Sequence, residues 1–174
     1  MADTDMDIMT KDVADIMRNS FNPADDEEVI PTKKFLAFES DGLSYAIDAD
    51  FVKEIIMANT ITRLPKLPSF IRGVINLRGQ VVPIIDIRMR MGRTKTEFTD
   101  DTCIIVMNIN EIQVGLLIDA VSQMVDIPEM NISTLPLSKH QELVDGIIRI
   151  NGTVLLIISI DEIMKKVDDV PPLV

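Results

Sequence analysis

The sequence predicts a mainly β protein made of two similar β-barrels packed together, because one strand-rich pattern occurs twice with turn residues at matching places. The stretch Phe70–Ile87 has the pattern of two Val- and Ile-rich strands joined by a tight turn at Gly79, and Leu143–Ile160 repeats it. The matched pairs stand 73 positions apart: Gly73 and Gly146, Gly79 and Gly152, Val81 and Val154, Ile87 and Ile160. Two copies are too few for a solenoid, which needs about three. We therefore expect two related subdomains.

The first copy spans about residues 34–92 and has room for five strands. Two apolar runs flank Asp41-Gly42, a dipeptide typical of a β-hairpin turn. Val52–Ile56 alternates its early side chains as a half-buried third strand would, and a loop with Pro65 and Pro68 follows. Together with the hairpin around Gly79, this strand density is that of a small, partly open barrel.

The second copy, about residues 102–160, repeats this plan after a short helical turn at 87–92 and a polar crossover at 93–101. A longer loop is expected from Pro128 to Pro136, ahead of the second hairpin. Apolar residues at helical spacing predict a short C-terminal helix over about 160–167, with lysines near its end. The last residues, 168–174, are expected to fray.

Residues 1–31 are predicted to form a flexible acidic extension, since residues 1–28 hold nine acids against Lys11 and Arg18. Within this stretch, apolar residues between Ile8 and Met17 permit a short amphipathic helix with Thr10 as its N-cap. Such a short helix is marginal in water unless it docks.

The charge and hydropathy of the sequence disfavour nucleic acid as a partner and direct insertion into a membrane. The net charge is −11 and Trp is absent, which disfavours nucleic acid as a partner. The stretch from Arg63 to Lys95 contains eight basic residues and a single acidic one, Asp86. One face of the first copy is therefore either a basic surface for a partner or an ordinary solvated surface. No apolar run approaches the ~18–20 residues that would span a bilayer, and the acidic N-terminus does not have the pattern of a signal sequence. The expectation is a cytoplasmic protein without direct membrane insertion.

Little in the sequence points to catalysis. Cys103 lies in an apolar run and is expected to be a buried hydrophobe, while His140 is expected in an exposed loop. No nucleophile elbow or phosphate-binding loop is present, and Gly73 and Gly79 are interpreted as hairpin punctuation. We therefore expect neither an enzyme nor a cofactor.

Two other function classes stay open at this point. A two-carboxylate hydrolase would need Asp48, Asp86 or Asp119 to line one pocket. A small-ligand barrel would need a hollow interior, whereas barrels of this size are normally filled by their own side chains.

One polar pair attracts interest as a contact surface. The turn Asn76–Gly79 exposes Arg78, and a compact barrel would bring Glu54 close to it. Their ion pair is either an ordinary surface salt bridge or a preorganised contact at a protein interface, where the fixed fork of donors favours arginine. The chemistry alone does not decide between these readings.

The run Phe70–Arg88, preceded by Tyr45–Asp48 and Val52–Ile55, resembles the CheW-like chemotaxis coupling proteins, in which N-L-R-G-x-x-V-P-I-x-D-[IL]-R is a specific signature. The resemblance covers Lys34 to about Lys166 and implies a CheW-like domain over residues 32–168. It implies two intertwined five-stranded barrels of the Src-homology type.

The same resemblance implies a non-catalytic adaptor. Its implied partners are the cytoplasmic tip of methyl-accepting chemotaxis receptors and the regulatory domain of the CheA histidine kinase; the alternative is a scaffold for another two-component receptor and kinase. The interface residues that it implies are Val52, Glu54, Gly73 and Arg78.

Overall fold

The fold was analysed in a computed structural model, which describes residues 28–59, 61–135, 143–165 and 167. The chain divides into two units, Met1–Ile30 and Pro31–Val174, and the second unit contains the fold described below. The predicted helix between Ile8 and Met17, His140 and residues 168–174 lie outside the described residues. No described helix is long and apolar enough to cross a membrane.

The described elements are mainly strands. The first copy of the repeat supplies β1 (Thr32–Ser40), β2 (Leu43–Asp48), β3 (Val52–Met57), β4 (Ile71–Leu77), β5 (Gln80–Asp86) and the helical turn α1 (Ile87–Arg90). The second copy supplies β6 (Cys103–Ile109), β7 (Ile112–Ile118), β8 (Ala120–Pro128), β9 (Ile132–Thr134), β10 (Val144–Ile150), β11 (Thr153–Ile158) and the helix α2 (Ile160–Lys165). The predicted mainly β fold class is confirmed.

The strands form two sheets, and each sheet takes strands from both copies. One has the order β8-β1-β2-β11-β10-β9 and the other has the order β3-β6-β7-β5-β4. The copies have therefore exchanged their first hairpins: β1–β2 joins the second copy's strands and β6–β7 joins the first copy's. The ranges 34–92 and 102–160 delimit the copies of the repeat, whereas neither range corresponds to one sheet.

Four tight turns join the hairpins, at Asp41-Gly42, Arg78-Gly79, Asn110-Glu111 and Asn151-Gly152. Both central residues of each turn have positive φ, which is the signature of the type I′ turn whose twist suits a hairpin. The turn residues therefore predicted these hairpins for a sound stereochemical reason.

The largest described core lies between the two sheets. It contains eighteen buried side chains drawn from both sheets and from α2, against six inside the six-stranded barrel and five inside the five-stranded one. Strand β6 shows the reason for its unbroken apolar run: Ile104 and Val106 face a barrel interior, while Ile105 and Met107 face the inter-sheet core. A strand buried on both faces does not alternate.

Each barrel is closed by the segment that follows the third strand of one copy, which is β3 in the five-stranded barrel and β8 in the six-stranded one. In the second copy a 3₁₀ turn leads into β9, which pairs with β10, so the loop predicted from Pro128 to Pro136 contains a sixth strand of its sheet. In the first copy Thr62 makes an isolated bridge to Val74, with both N···O distances 2.9 Å. This bridge corresponds to the pairing of Ser133 with Ile147 in the second copy.

The interpretation of Gly73 as hairpin punctuation is wrong. Gly73 lies inside β4 at a bulge with φ +144°, and a Cβ added there would stand 2.1 Å from the carbonyl oxygen of Thr62. Gly73 is therefore required where the closing segment crosses β4. Gly79, with φ +83°, is a turn glycine as predicted.

The crossover at 93–101 is tied to the fold by Asp86, whose side chain is fully buried. Its carboxylate caps α1 and accepts hydrogen bonds from the Thr96 amide and hydroxyl, both at 2.8 Å. Arg72 Nη1 donates to the same carboxylate at 2.8 Å and to the Thr96 carbonyl at 3.0 Å. This buried network holds a segment that the sequence marked only as polar.

Candidate functional site

Strand β3 places Glu54 at the mouth of the five-stranded barrel. A bulge separates Val52 from Glu54, after which Glu54 lies opposite Val106 and Ile56 lies opposite Ile104. Glu54 and Ile56 share one side of the strand. Because Ile56, Val106 and Ile104 all belong to the barrel interior, the Glu54 side chain extends over that interior at its open end.

The β4–β5 turn places Arg78 against the same opening. Arg78 has φ +51°, a left-handed conformation that its side chain disfavours, and Gly79 follows it. The Asn76 Oδ1 atom accepts a hydrogen bond from the Gly79 amide at 2.9 Å. The turn is thus held from within the hairpin.

Arg78 and Glu54 form a bidentate ion pair. Arg78 Nη1 lies 2.7 Å from Glu54 Oε1, and Nη2 lies 2.9 Å from Oε2. The hydrogen bonds from Arg78 hold the pKa of the Glu54 carboxyl below its ordinary value, and the same bonds raise the pKa of Arg78. The Arg78 side chain remains 68% exposed and that of Glu54 22%, so the guanidinium is oriented yet open to a partner.

The other two predicted interface residues do not touch this pair in any described contact. Val52 begins β3, is half-buried, and packs against the inter-sheet core. Gly73 is buried within β4 under the Thr62 carbonyl. The structure therefore brings together Glu54 and Arg78, while Val52 and Gly73 support the strands that carry them.

Exposed apolar side chains lie on the strands next to the pair, and sequence reasoning did not single them out. Ile55 and Met57 lie on the outer face of β3, 40% and 50% exposed, and Val81 on β5 is 52% exposed. The pseudo-equivalent of Ile55 is Met124, which is also exposed, and that of Val81 is Val154. Aligning the two copies, and noting which residues alternate to the outside of each predicted strand, could have revealed these outward apolar positions.

The ion pair belongs to the first copy alone. The bulges in β3 and β8 align Glu54 with Gln123, since both lie 69 positions from their counterparts (106 − 37 and 123 − 54). Arg78 aligns with Asn151. The second copy therefore has the same backbone but an uncharged pair of residues, which makes it an internal comparison for the site.

Each of the three aspartates of the hydrolase alternative is engaged in an ion pair, and Arg88 contacts two of them, Asp86 through its amide and Asp119 through its side chain. Asp48 pairs with Lys33 at 2.7 Å, Asp86 is buried in the network described above, and Asp119 pairs with Arg88. A surface depression of about 340 Å³ beside the six-stranded sheet includes Asp48 but neither of the others. Of the pockets described, none is lined by more than one of these three carboxylates, so the hydrolase alternative is not supported.

The small-ligand alternative is not supported either, because each barrel contains a cluster of its own buried side chains. Cys103 is 9% exposed, and burial raises the pKa of its thiol, as suits an inert core residue. Within the described residues, no group of three His, Cys, Asp or Glu side chains could hold a metal ion.

Comparison with known proteins gives consistent results. The family model of the CheW-like domain matches residues 34–168. Chemotaxis protein CheW of Bacillus subtilis is 32% identical over 142 residues, which cover 80% of this chain and 91% of that protein. Chemotaxis protein CheW of Helicobacter pylori is 33% identical over 144 residues, covering 82% and 86%. The crystal structure of the scaffolding protein TtCheW from Thermoanaerobacter tengcongensis matches with a TM-score of 0.70 and 32% identity, covering 75% of this chain and 90% of that one.

Proposed function

The chain belongs to the CheW-like domain family, and from that premise we propose that it is a non-catalytic adaptor that couples methyl-accepting chemotaxis receptors to the CheA histidine kinase. The observation that carries the proposal is the family match over residues 34–168, reinforced by relatives named chemotaxis protein and scaffolding protein. The preformed polar pair at a barrel mouth adds a surface suited to protein contact.

At finer detail, the partners are the cytoplasmic hairpin tip of the receptor and the regulatory domain of the kinase, which places the adaptor in the cytoplasm. Glu54 and Arg78 set the register of contact through their charge and fixed geometry. Ile55 and Met57 supply apolar area on the outer face of the same strand. Val52 and Gly73 act by shaping the strands β3 and β4.

The mechanism requires no chemistry in the adaptor. A change in receptor conformation alters the contacts available to the adaptor, and the kinase responds because its two states bind the complex with different free energies. Residues that orient a contact then matter more than residues that only add area.

The first test is calorimetric titration of the protein against a soluble receptor hairpin and, separately, against the kinase regulatory domain. We expect binding to both and a ternary complex. Binding to neither by a folded protein would contradict the proposal and leave a CheW-like scaffold for another receptor and kinase.

The second test assigns the site. Arg78→Asn removes the guanidinium but installs a residue that tolerates the turn, so we expect a loss of affinity for at least one partner of about tenfold. Arg149→Ala is the matched control, because it removes one exposed positive charge close to the equivalent turn, where no ion pair is described. Equal losses in both variants would indicate a general charge effect and would remove Arg78 from the site.

A further inference from the structure

The β4–β5 turn of the first copy and the equivalent β10–β11 turn of the second copy differ by an exchange of two residue types. The first reads Asn76-Leu77-Arg78-Gly79 and the second reads Arg149-Ile150-Asn151-Gly152, so asparagine and arginine have traded places. The backbone geometry is nevertheless the same, with φ of +51° and +83° in the first turn and +48° and +76° in the second. The exchange therefore changes side chains without changing the turn.

Asparagine tolerates the left-handed region because its short side chain bonds locally, whereas arginine does not. Among the four type I′ turns, the first central position holds Asp41, Asn110 or Asn151 in three, and Arg78 in the fourth. Arg78 therefore occupies the left-handed position without the short, locally bonding side chain that Asn or Asp provides in the other three turns.

Asn76 supplies that support. In a type I′ turn the ladder bond joins the residues flanking the turn, which leaves the second central amide without a partner. Here that amide belongs to Gly79, and Asn76 Oδ1 accepts its hydrogen bond at 2.9 Å. No equivalent bond is described between Arg149 and Gly152.

We propose that Asn76 is a positioning residue for the coupling site formed by Glu54 and Arg78: its side chain fixes the Arg78 turn so that the guanidinium meets the Glu54 carboxylate in the bidentate geometry that a partner recognises. The placement of Arg78 depends on the turn, because its two donors must reach both carboxylate oxygens across the barrel mouth. A turn that samples other conformations breaks one or both of these bonds. The recognition role rests on the proposed function, whereas the effect of Asn76 on the ion pair does not.

The test uses the full-length protein with Asn76→Ala and Asn76→Asp. The alanine variant loses the acceptor, and we expect affinity for the partner that Arg78 contacts to fall about three- to tenfold. The aspartate variant keeps an acceptor oxygen at the same place, and we expect it to bind within about twofold of the parent. Equal weakening by both variants would overturn the proposal.

A second readout requires no partner. The Glu54 carboxyl pKa, measured by NMR titration, should move up toward its ordinary value of 4.5 in Asn76→Ala, because the arginine no longer holds both oxygens. Asn76→Asp should keep the pKa low. A lower melting temperature of Asn76→Ala with the Glu54 pKa unchanged would mean a merely structural role and would overturn the proposal.

Asn108→Ala is the matched control. Asn108 stands two residues before the left-handed Asn110, as Asn76 stands before Arg78, and no side-chain hydrogen bond of Asn108 is described. It should leave both readouts unchanged, and an equal effect there would refute the assignment. If Arg78→Asn binds its partners normally, the proposed coupling site fails while the NMR measurement still decides the role of Asn76.

Discussion

Arg78 has a backbone conformation that its residue type disfavours, and its side chain forms an exposed ion pair with Glu54. Neither feature favours stability, since exposed ion pairs contribute little and a left-handed arginine costs free energy. Their coincidence, with Asn76 bonded to the same turn, supports the proposal that Arg78 contacts a partner.

At this scale the first prediction concerns Glu54. Its pKa should lie below 4.5 in the parent protein and return to about 4.5 in Arg78→Ala, because the hydrogen bonds from Arg78 stabilise the carboxylate. The contribution of the pair to stability is then present above pH 4.5 and is lost as the pH falls through the lowered pKa. Side-chain carboxyl NMR shifts measure this value, and an unshifted pKa in the parent would contradict the bidentate geometry.

The second residue-scale prediction concerns Asp86. Asp86→Asn removes the charge that Arg72 and the Thr96 amide share, and leaves the largely buried Arg72 guanidinium without its carboxylate partner. We expect the free energy of unfolding to fall by about 3–5 kcal/mol. Urea denaturation gives the value. Asp100→Asn, at an exposed site of the same crossover, should change the free energy of unfolding by less than about 0.5 kcal/mol. Comparable losses in the two variants would refute the stabilising role of the Asp86 network.

At the scale of elements, the segments that follow β3 and β8 each close a barrel. The two closures differ in how closely other atoms approach the glycine of the crossed strand. Beneath Gly73 the Thr62 carbonyl passes 2.1 Å from the place of a Cβ, and the backbone there has φ +144°. Beneath Gly146 the nearest atoms are the Ile157 Cδ1 at 2.9 Å and the Ser133 carbonyl oxygen at 3.1 Å, and φ is not in the left-handed region. A flexible side chain can yield where a backbone cannot.

The closures therefore predict an asymmetry between two identical substitutions. Gly73→Ala should destabilise by about 3 kcal/mol or more, through backbone strain and a clash with the closing segment. Gly146→Ala should cost about 1–2 kcal/mol, since the Ile157 side chain can shift. Thermal unfolding of both variants provides the comparison, and equal losses would show that the close approach at Gly73 does not govern its cost.

At the scale of the whole molecule, the exchanged hairpins and the inter-sheet core make the two copies interdependent. Among the described strands, β1 and β2 pair outside their own hairpin only with β8 and β11, both from the second copy. The eighteen-residue core likewise needs side chains from both sheets. We therefore expect that neither copy buries its apolar surface alone.

We expect a fragment of residues 31–101 to be unfolded by itself and to regain β structure when mixed with a fragment of residues 102–174. The physical reason is that the first fragment lacks β6 and β7, which separate β3 from β5 in the five-stranded sheet. Far-ultraviolet circular dichroism of each fragment and of the mixture is the measurement. A cooperative unfolding transition in the isolated first fragment would refute this interdependence.

Much of the site could be predicted from the sequence because its determinants are local. The turn at Arg78-Gly79 follows from residue types, the strand from its alternation, and the ion pair from opposite charges that a small, compact barrel brings together. The supporting bond from Asn76 and the outward positions of Ile55 and Met57 were not predicted, since both depend on side-chain directions that composition does not specify.

The sequence by itself determined the duplication, the four hairpins and the residues of the polar pair, because turn chemistry and strand periodicity act over a few neighbouring residues. Tertiary structure alone decided which sheet each hairpin joins, that the main core lies between the sheets, and that Gly73 sits beneath the Thr62 carbonyl. Two similar copies present similar strand edges, so local signals cannot distinguish a copy's own strands from its neighbour's. The choice depends on the summed burial of side chains distant in sequence.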